Sequence, residues 1–144
     1  MPLASFGLTL LLAGFTGHAI AQTPPGGLEG TAWSAVELAG TQLPLQSPAG
    51  DREPHLVFAA ARVSGSDGCN RFTGPYAVKK DRVTIGQLAA TRMFCPQSDE
   101  MARRFQAALK GTSRWKIVAG RLEFYGATGK PLAVFERIYN YRVR

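Results

Sequence analysis

Two short segments, each carrying one of the chain's two cysteines, constrain the fold more than any other feature. Cys69 lies in the turn-rich run Arg62–Tyr76, and Cys95 lies in Ala90–Pro96. A bond between them would close a loop of about 25 residues, which is worth roughly 3 kcal/mol because it restrains the unfolded chain. Two alternatives remain open. One is a pair of free buried thiols. The other is a redox-active pair, which needs a low thiol pKa and usually a nearby base.

The first 21 residues have the pattern of an export signal. An apolar core at Leu8–Phe15 is too short to span a bilayer, and Ala19–Ala21 forms a small-x-small cleavage site. The segment carries no lysine or arginine, so either the N-terminal amine supplies the charge or the true start lies upstream. We expect cleavage after Ala21, followed by a flexible leader at 22–27. Because cysteines in an oxidising compartment usually pair, export favours the Cys69–Cys95 disulfide.

A lipid anchor is not expected. In a lipoprotein signal a cysteine would follow Leu12-Ala13-Gly14, and here Phe15 stands at that position. Without the thiol there is nothing to acylate. The expected location is therefore periplasmic or secreted, with no transmembrane segment in the mature chain.

All 17 basic and 10 acidic residues follow the export signal, so the mature chain would keep the full net charge of +7. Such a charge favours acidic partners such as anionic lipid headgroups, lipopolysaccharide and acidic glycans. The basic residues are dispersed and accompany no nucleic-acid-binding motif, so no nucleic acid partner is expected. A basic aromatic tail occupies residues 139–144.

Alternating apolar residues and turn signals predict a chain made mostly of short strands. The predicted strands are 31–38, 55–59, 61–64, 73–78, 82–85, 87–93, 114–118, 121–125 and 131–138. On the first strand, Trp33 and Ala35 are expected on one face and Leu38 on the other. Gly65–Gly68 is expected to be a turn in which both glycines allow positive φ.

A single helix is predicted at about Ser98–Lys110. Ser98 is a suitable N-cap, Asp99 and Glu100 favour the positive end of the helix dipole, and Gly111 is the expected C′ residue. Because only this helix interrupts a run of short strands, the predicted class is α+β with a predominantly antiparallel sheet.

The order of motifs resembles the META domain family, whose members are similar to HslJ heat-shock proteins. Gly30–Trp33 matches a Gly-x-x-Trp opening, Gly68–Tyr76 matches Gly-Cys-Asn-x-Phe-x-Gly-x-Tyr, and Thr91–Cys95 matches Thr-x-Met-x-Cys. The resemblance covers residues 28–138 as one domain. It implies a strongly curved antiparallel sheet, or partly open barrel, with one packed helix. It also implies a bacterial envelope protein linked to heat shock or antibiotic tolerance, with no established catalytic residue.

The residues of these motifs have expected roles. Asn70 is expected to order its loop by bonding nearby backbone. Four apolar residues are expected in the core or covering the disulfide: Phe72, Tyr76, Met93 and Phe94. If a recognition site exists, the polar cluster flanking the two cysteines places it at Asn70, Arg71, Thr91 and Arg92.

Enzyme chemistry finds little support in the sequence. His55 is the only histidine after the export signal, and Ser64, Ser66 and Asp67 lack the Gly-x-Ser-x-Gly elbow of a serine hydrolase. Two cysteines and one histidine at these spacings make no zinc signature, and no cofactor motif is present. The expectation is a non-catalytic, monomeric protein without metal or cofactor.

Two functional classes follow. The first is an exported envelope protein that binds a protein, a lipid or an amphiphile. The alternative is a small-molecule-binding or hydrolytic protein that uses a pocket on the concave face of the sheet. A closed apolar interior would favour the first, and a polar pocket above about 300 Å³ would favour the second.

Overall fold

A computed structural model describes residues 27–44 and 53–141. The predicted export signal, the leader up to residue 26, positions 45–52 of the predicted loop and the last three residues of the tail lie outside the described residues.

The described chain forms ten strands and one helix. In chain order they are β1 Thr31–Leu38, β2 Thr41–Gln42, β3 His55–Ala59, β4 Arg62–Ser66, β5 Arg71–Lys79, β6 Arg82–Ile85, β7 Ala89–Ala90, α1 Asp99–Gly111, β8 Arg114–Val118, β9 Arg121–Tyr125 and β10 Pro131–Arg137. The predicted strand at 87–93 is reduced to β7, which pairs with β5 through Thr73 and Ala89.

The strands form one antiparallel sheet whose pairing path closes on itself. Neighbouring strands follow the order β10-β9-β8-β6-β5-β4-β3-β1, and β1 also pairs with β10. The closure is uneven, since β6 and β8 meet in register only at Arg82 and Arg114. A mostly antiparallel sheet with one helix confirms the predicted α+β class.

The core lies inside this ring of strands and is closed by the helix. Its largest fully buried side chains are Trp33, Phe58, Phe105, Phe124 and Phe135, each no more than 1% exposed. The helix packs against β1, β9 and β10. Phe105 on the helix lies between Phe72, with ring centroids 5.9 Å apart, and Phe135, at 6.2 Å. The interior is therefore filled by aromatic and aliphatic side chains.

A β-bulge in β1 overturns one predicted face. Ala35 pairs with Phe135 and Glu37 with Val134, so two steps along β1 match one step along β10. The extra residue reverses the alternation of side chains. Leu38 consequently lies in the core with Trp33 and Ala35, and the expectation that it faced the other way was wrong.

The helix ends differ from the predicted caps. The Ser98 side chain makes no capping hydrogen bond, although its carbonyl accepts from the N–H of Ala102 at 2.9 Å. Gly111 remains helical, and Thr112 in extended conformation is the C-cap. The Thr112 hydroxyl donates to the Ala108 carbonyl at 2.6 Å, which satisfies a terminal carbonyl without a glycine at positive φ.

The one helix in the described part of the chain is not long and apolar enough to cross a membrane.

Candidate functional site

The turn between β4 and β5 is built around the carboxylate of Asp67. Its Oδ1 accepts the backbone N–H of Cys69 at 2.9 Å and that of Asn70 at 2.6 Å, and its own N–H donates to the Asn70 carbonyl at 3.0 Å. Gly68 has φ +97°, which a side chain would strain. Gly65 does not have positive φ and belongs to β4 rather than to the turn. It is needed because a Cβ there would lie 1.9 Å from the His55 carbonyl oxygen.

Asp67 also connects this turn to the helix. Its Oδ2 accepts a hydrogen bond from Nε2 of Gln106 at 2.9 Å, and the residue is only 3% exposed. The sequence placed Asp67 in a turn and weighed it as a member of a catalytic triad, but its N–H contacts and its link to the helix were not predicted. The signal was present, because an aspartate that begins a turn is a frequent acceptor for N–H groups two and three residues on.

The turn is joined to the loop Thr91–Pro96 by a covalent bond and by hydrogen bonds. The sulfur atoms of Cys69 and Cys95 lie at disulfide distance, with their Cα atoms 5.8 Å apart. Asn70 Oδ1 accepts the Met93 N–H at 2.6 Å and the Thr91 hydroxyl at 3.0 Å. Asn70 thus orders two segments that lie more than twenty residues apart in the chain.

The structure brings together three of the four predicted recognition residues. The Thr91 hydroxyl, besides donating to Asn70, accepts the Arg71 N–H at 3.1 Å, and the Thr91 N–H donates to the Arg71 carbonyl at 3.0 Å. The side-chain oxygens of Asn70 and Thr91 are therefore both engaged within the protein. Arg92 follows in the exposed loop, and its side chain forms no hydrogen bond or ion pair with the rest of the described chain. A recognition role for Arg71 and Arg92 stays a prediction.

Two of the four expected core residues are exposed in this loop. Phe72 is buried, and Tyr76 is half-buried with its ring centroid 4.8 Å from that of Phe58. Met93 is 54% exposed and Phe94 is 87% exposed, so the expectation that they filled the core was wrong. The loop is held by backbone and by the cysteine, and these side chains extend outward.

A second polar cluster clamps the β3–β4 turn. The Glu29 carboxylate accepts the Ala60 N–H at 2.5 Å, the Ala61 N–H at 3.4 Å and the Tyr76 hydroxyl at 2.5 Å. The Tyr76 hydrogen bond is the main reason that the pKa of Glu29 is lowered. Burial, and then the Glu29 carboxylate, raise the pKa of Tyr76. The phenol therefore remains protonated and donates.

Within the described ranges, no group of three or more histidine, cysteine or acidic side chains is placed to hold a metal ion. Ser66 uses its hydroxyl to accept the Gly68 N–H at 3.1 Å, and His55 Nδ1 lies 2.7 Å from the Glu53 carbonyl oxygen. Ser66, Asp67 and His55 are thus each engaged in local turn contacts.

Comparison with known proteins places this architecture among described relatives. Residues 26–138 match the family model of the META domain. The fold is similar to the NMR structure of a protein from Burkholderia xenovorans, with a TM-score of 0.63 and 20% identity over 97% of this chain and 100% of that one. A second NMR structure has a TM-score of 0.57 and 26% identity, covering 74% of this chain and 88% of the other. No curated protein matches the sequence.

The family match spans the opening strand, both cysteine motifs, the helix and the final strand β10, and so includes every element of the closed sheet. The chain belongs to the META domain family.

Proposed function

We propose that this protein is an exported, non-catalytic component of the cell envelope that binds anionic amphiphiles, above all a negatively charged lipid surface, through the loop Thr91–Pro96. A role in heat or antibiotic stress is part of the proposal. The observation that carries it is the exposure of Phe94, at 87%, next to the half-exposed Met93 and two residues after the cationic Arg92.

The loop presents these side chains on a fixed support. Cys95, one residue beyond Phe94, is bridged to Cys69, and the Met93 N–H is bonded to Asn70. A loop whose backbone is already held in place loses less conformational freedom on binding. An exposed aromatic residue on a cross-linked loop is therefore well suited to insertion into an apolar layer.

The energetics suit a reversible contact with a lipid surface. Full burial of a phenylalanine side chain contributes about 1.5–3 kcal/mol, and each arginine or lysine near an anionic membrane adds about 1 kcal/mol. Phe94 and Arg92 supply one of each, and the chain's net charge of +7 adds long-range attraction. These terms favour adhesion to a surface over deep embedding.

The filled interior supports a binding role over the alternative of a pocket on the concave face. Phe58, Phe124 and Phe135 are fully buried inside the ring, and Phe105 of the helix packs among them. The concave face of a strongly curved sheet is the face that points inward, where these side chains lie. Side chains already occupy the space that a substrate would need.

Vesicle binding tests the proposal. Purified protein is mixed with vesicles of phosphatidylglycerol and phosphatidylethanolamine, and separately with phosphatidylcholine alone, and the bound fraction is measured by sedimentation. We expect binding to the anionic vesicles, reduced about tenfold or more by Phe94→Ser and retained by Phe94→Trp, because burial of an aromatic ring is the main apolar contribution. The fluorescence of the introduced indole should shift to shorter wavelength on binding.

Matched control variants distinguish vesicle binding through the loop from nonspecific adhesion of the protein. Val118→Ser removes an exposed apolar side chain at the β8–β9 turn, and Lys79→Gln removes one positive charge at the far end of β5. Both should bind as the unaltered protein does, whereas Arg92→Gln should weaken binding and its dependence on salt. Equal binding by Phe94→Ser, or equal binding to both kinds of vesicle, would refute the proposal.

Export is tested separately. Cell fractionation followed by intact mass measurement should find the protein in the envelope fraction, with an N-terminus at Gln22 and a mass two hydrogens lower than that of the dithiol. A full-length reduced chain in the cytoplasm would contradict the proposed location.

A further inference from the structure

We propose that an outward-facing pocket on β8 and β9 binds a small ligand that carries a phosphate or carboxylate group. The pocket has a volume of about 190 Å³ and is lined by Arg114, Trp115, Lys116, Tyr125 and Gly129. None of these residues belongs to the loop Thr91–Pro96, so the pocket is a second site, distinct from the proposed lipid contact.

Two cations converge on one aromatic ring. Arg114 and Lys116 are two residues apart on β8, so they project from the same face of the strand with Cα atoms ~7 Å apart. The Lys116 Nζ lies 4.7 Å from the centre of the Tyr125 ring and the Arg114 Cζ lies 6.0 Å from it. Tyr125 is the register partner of Arg114 on β9 and is 8% exposed. The face of the Tyr125 ring therefore lies at the base of the pocket and attracts both cationic groups.

The charges of the pocket do not cancel one another. Glu123 faces Lys116 across the strands, but its carboxylate accepts a hydrogen bond from the Tyr125 hydroxyl. Burial and this hydrogen bond raise the pKa of Tyr125, so the phenol stays neutral. In the part of the chain that the structure describes, neither Arg114 nor Lys116 forms an ion pair. Two positive charges face one carboxylate, which leaves an excess of positive charge.

This arrangement selects the chemistry of the ligand. A guanidinium offers paired donors to a phosphate or a carboxylate, and an ammonium beside it adds a second charge-assisted hydrogen bond. The volume corresponds to about six water molecules, which accommodates an anionic group with a small organic body but not a large cofactor. Gly129 contributes backbone to the rim without a side chain that would narrow it.

Titration of the purified, isotope-labelled protein observed by NMR tests the site. The probes are glucose 6-phosphate, glucuronate and, as the neutral counterpart, glucose. We expect saturable shifts of the Lys116, Tyr125 and Gly129 amides with at least one anionic probe and none with glucose. Comparison of the two anions shows whether the site prefers phosphate or carboxylate.

Charge-matched double variants decide the assignment. Arg114→Gln with Lys116→Gln should weaken binding about tenfold or more, because charge-assisted hydrogen bonds are lost. Arg103→Gln with Lys110→Gln removes the same charge from the helix and should leave binding unchanged. A dispersed spectrum confirms that each variant is folded. The proposal is overturned by the absence of saturable shifts with both anions, by equal binding of glucose, or by equal weakening in the helix variant.

Discussion

The hydrogen bond between Asp67 and Gln106 joins the disulfide-bearing turn to the helix, and Gln106→Glu tests how much it contributes. The variant replaces the Nε2 donor, 2.9 Å from Asp67 Oδ2, with a second carboxylate oxygen. A hydrogen bond to a charged acceptor contributes about 1.5–3 kcal/mol, so this much is lost even if the new side chain rotates into solvent.

If the new carboxylate stays in place, it faces the carboxylate of the buried Asp67, and two like charges are then in contact. One of them must then bind a proton, which at pH 7 costs at most about 4 kcal/mol for a group whose ordinary pKa is about 4.3. We therefore expect Gln106→Glu to lower the free energy of unfolding by about 2–4 kcal/mol at pH 7, and the melting temperature by roughly 10 °C. Because like-charge contact raises a carboxyl pKa in the folded state, the loss should shrink as the pH falls toward 4.

Urea denaturation followed by circular dichroism at pH 7 and pH 4.5 measures these values, and Asp67→Asn completes a double-mutant cycle. In the double variant the introduced amide can donate to the introduced carboxylate while its carbonyl still accepts the Cys69 and Asn70 N–H groups. We expect the double variant to recover about 2 kcal/mol relative to the sum of the single variants. Additive losses, or a Gln106→Glu variant as stable as the unaltered protein at pH 7, would refute the reasoning.

Three further perturbations probe the other contacts. Cys69→Ser combined with Cys95→Ser should lower the free energy of unfolding by about 3 kcal/mol, and reductant should lower that of the unaltered protein but not of the variant, as measured by chemical denaturation. Ala61 has φ +57°, so Ala61→Gly should raise stability by about 1 kcal/mol in thermal denaturation, whereas a decrease would contradict strain at this turn. The hydrogen bond from Tyr76 is the main reason that the pKa of Glu29 is lowered from 4.5. The stability that the Glu29 carboxylate contributes is therefore fully present above pH 4.5 and is lost as the pH falls through the folded-state pKa. Glu29→Gln should therefore flatten the acid side of the stability profile, and an unchanged profile would contradict the contact.

Local patterns in the sequence were sufficient for most of the secondary structure. The strands β1, β3, β6, β8 and β9 have the predicted bounds, and the helix is displaced by one residue at each end. Short strands with alternating side chains and tight turns carry their signal within a few residues, which is why sequence alone locates them. The bulge in β1 was not visible, because it depends on how that strand aligns with β10, almost one hundred residues later.

The candidate site was likewise predicted from the sequence only in part. The motif around Asn70 predicted an ordering role, and the structure supplies its partners, Thr91 and Met93. Phe94 was misassigned because hydrophobicity states what burial would contribute, not whether the fold provides a place for burial. Its exposure follows from the path of the loop, which is tied down through Cys95 and backbone atoms.

The sequence by itself determined the family, the strand-rich composition with a single helix, and the position of two cysteines that can join distant segments. Each of these depends on residue identity or on spacing along the chain. Only the tertiary structure decided that Asp67 reaches the helix through Gln106, that Phe94 faces outward, and that Arg114 and Lys116 share the ring of Tyr125. These are contacts between elements, and their geometry is set by sheet register and by closure of the ring, which no local pattern encodes.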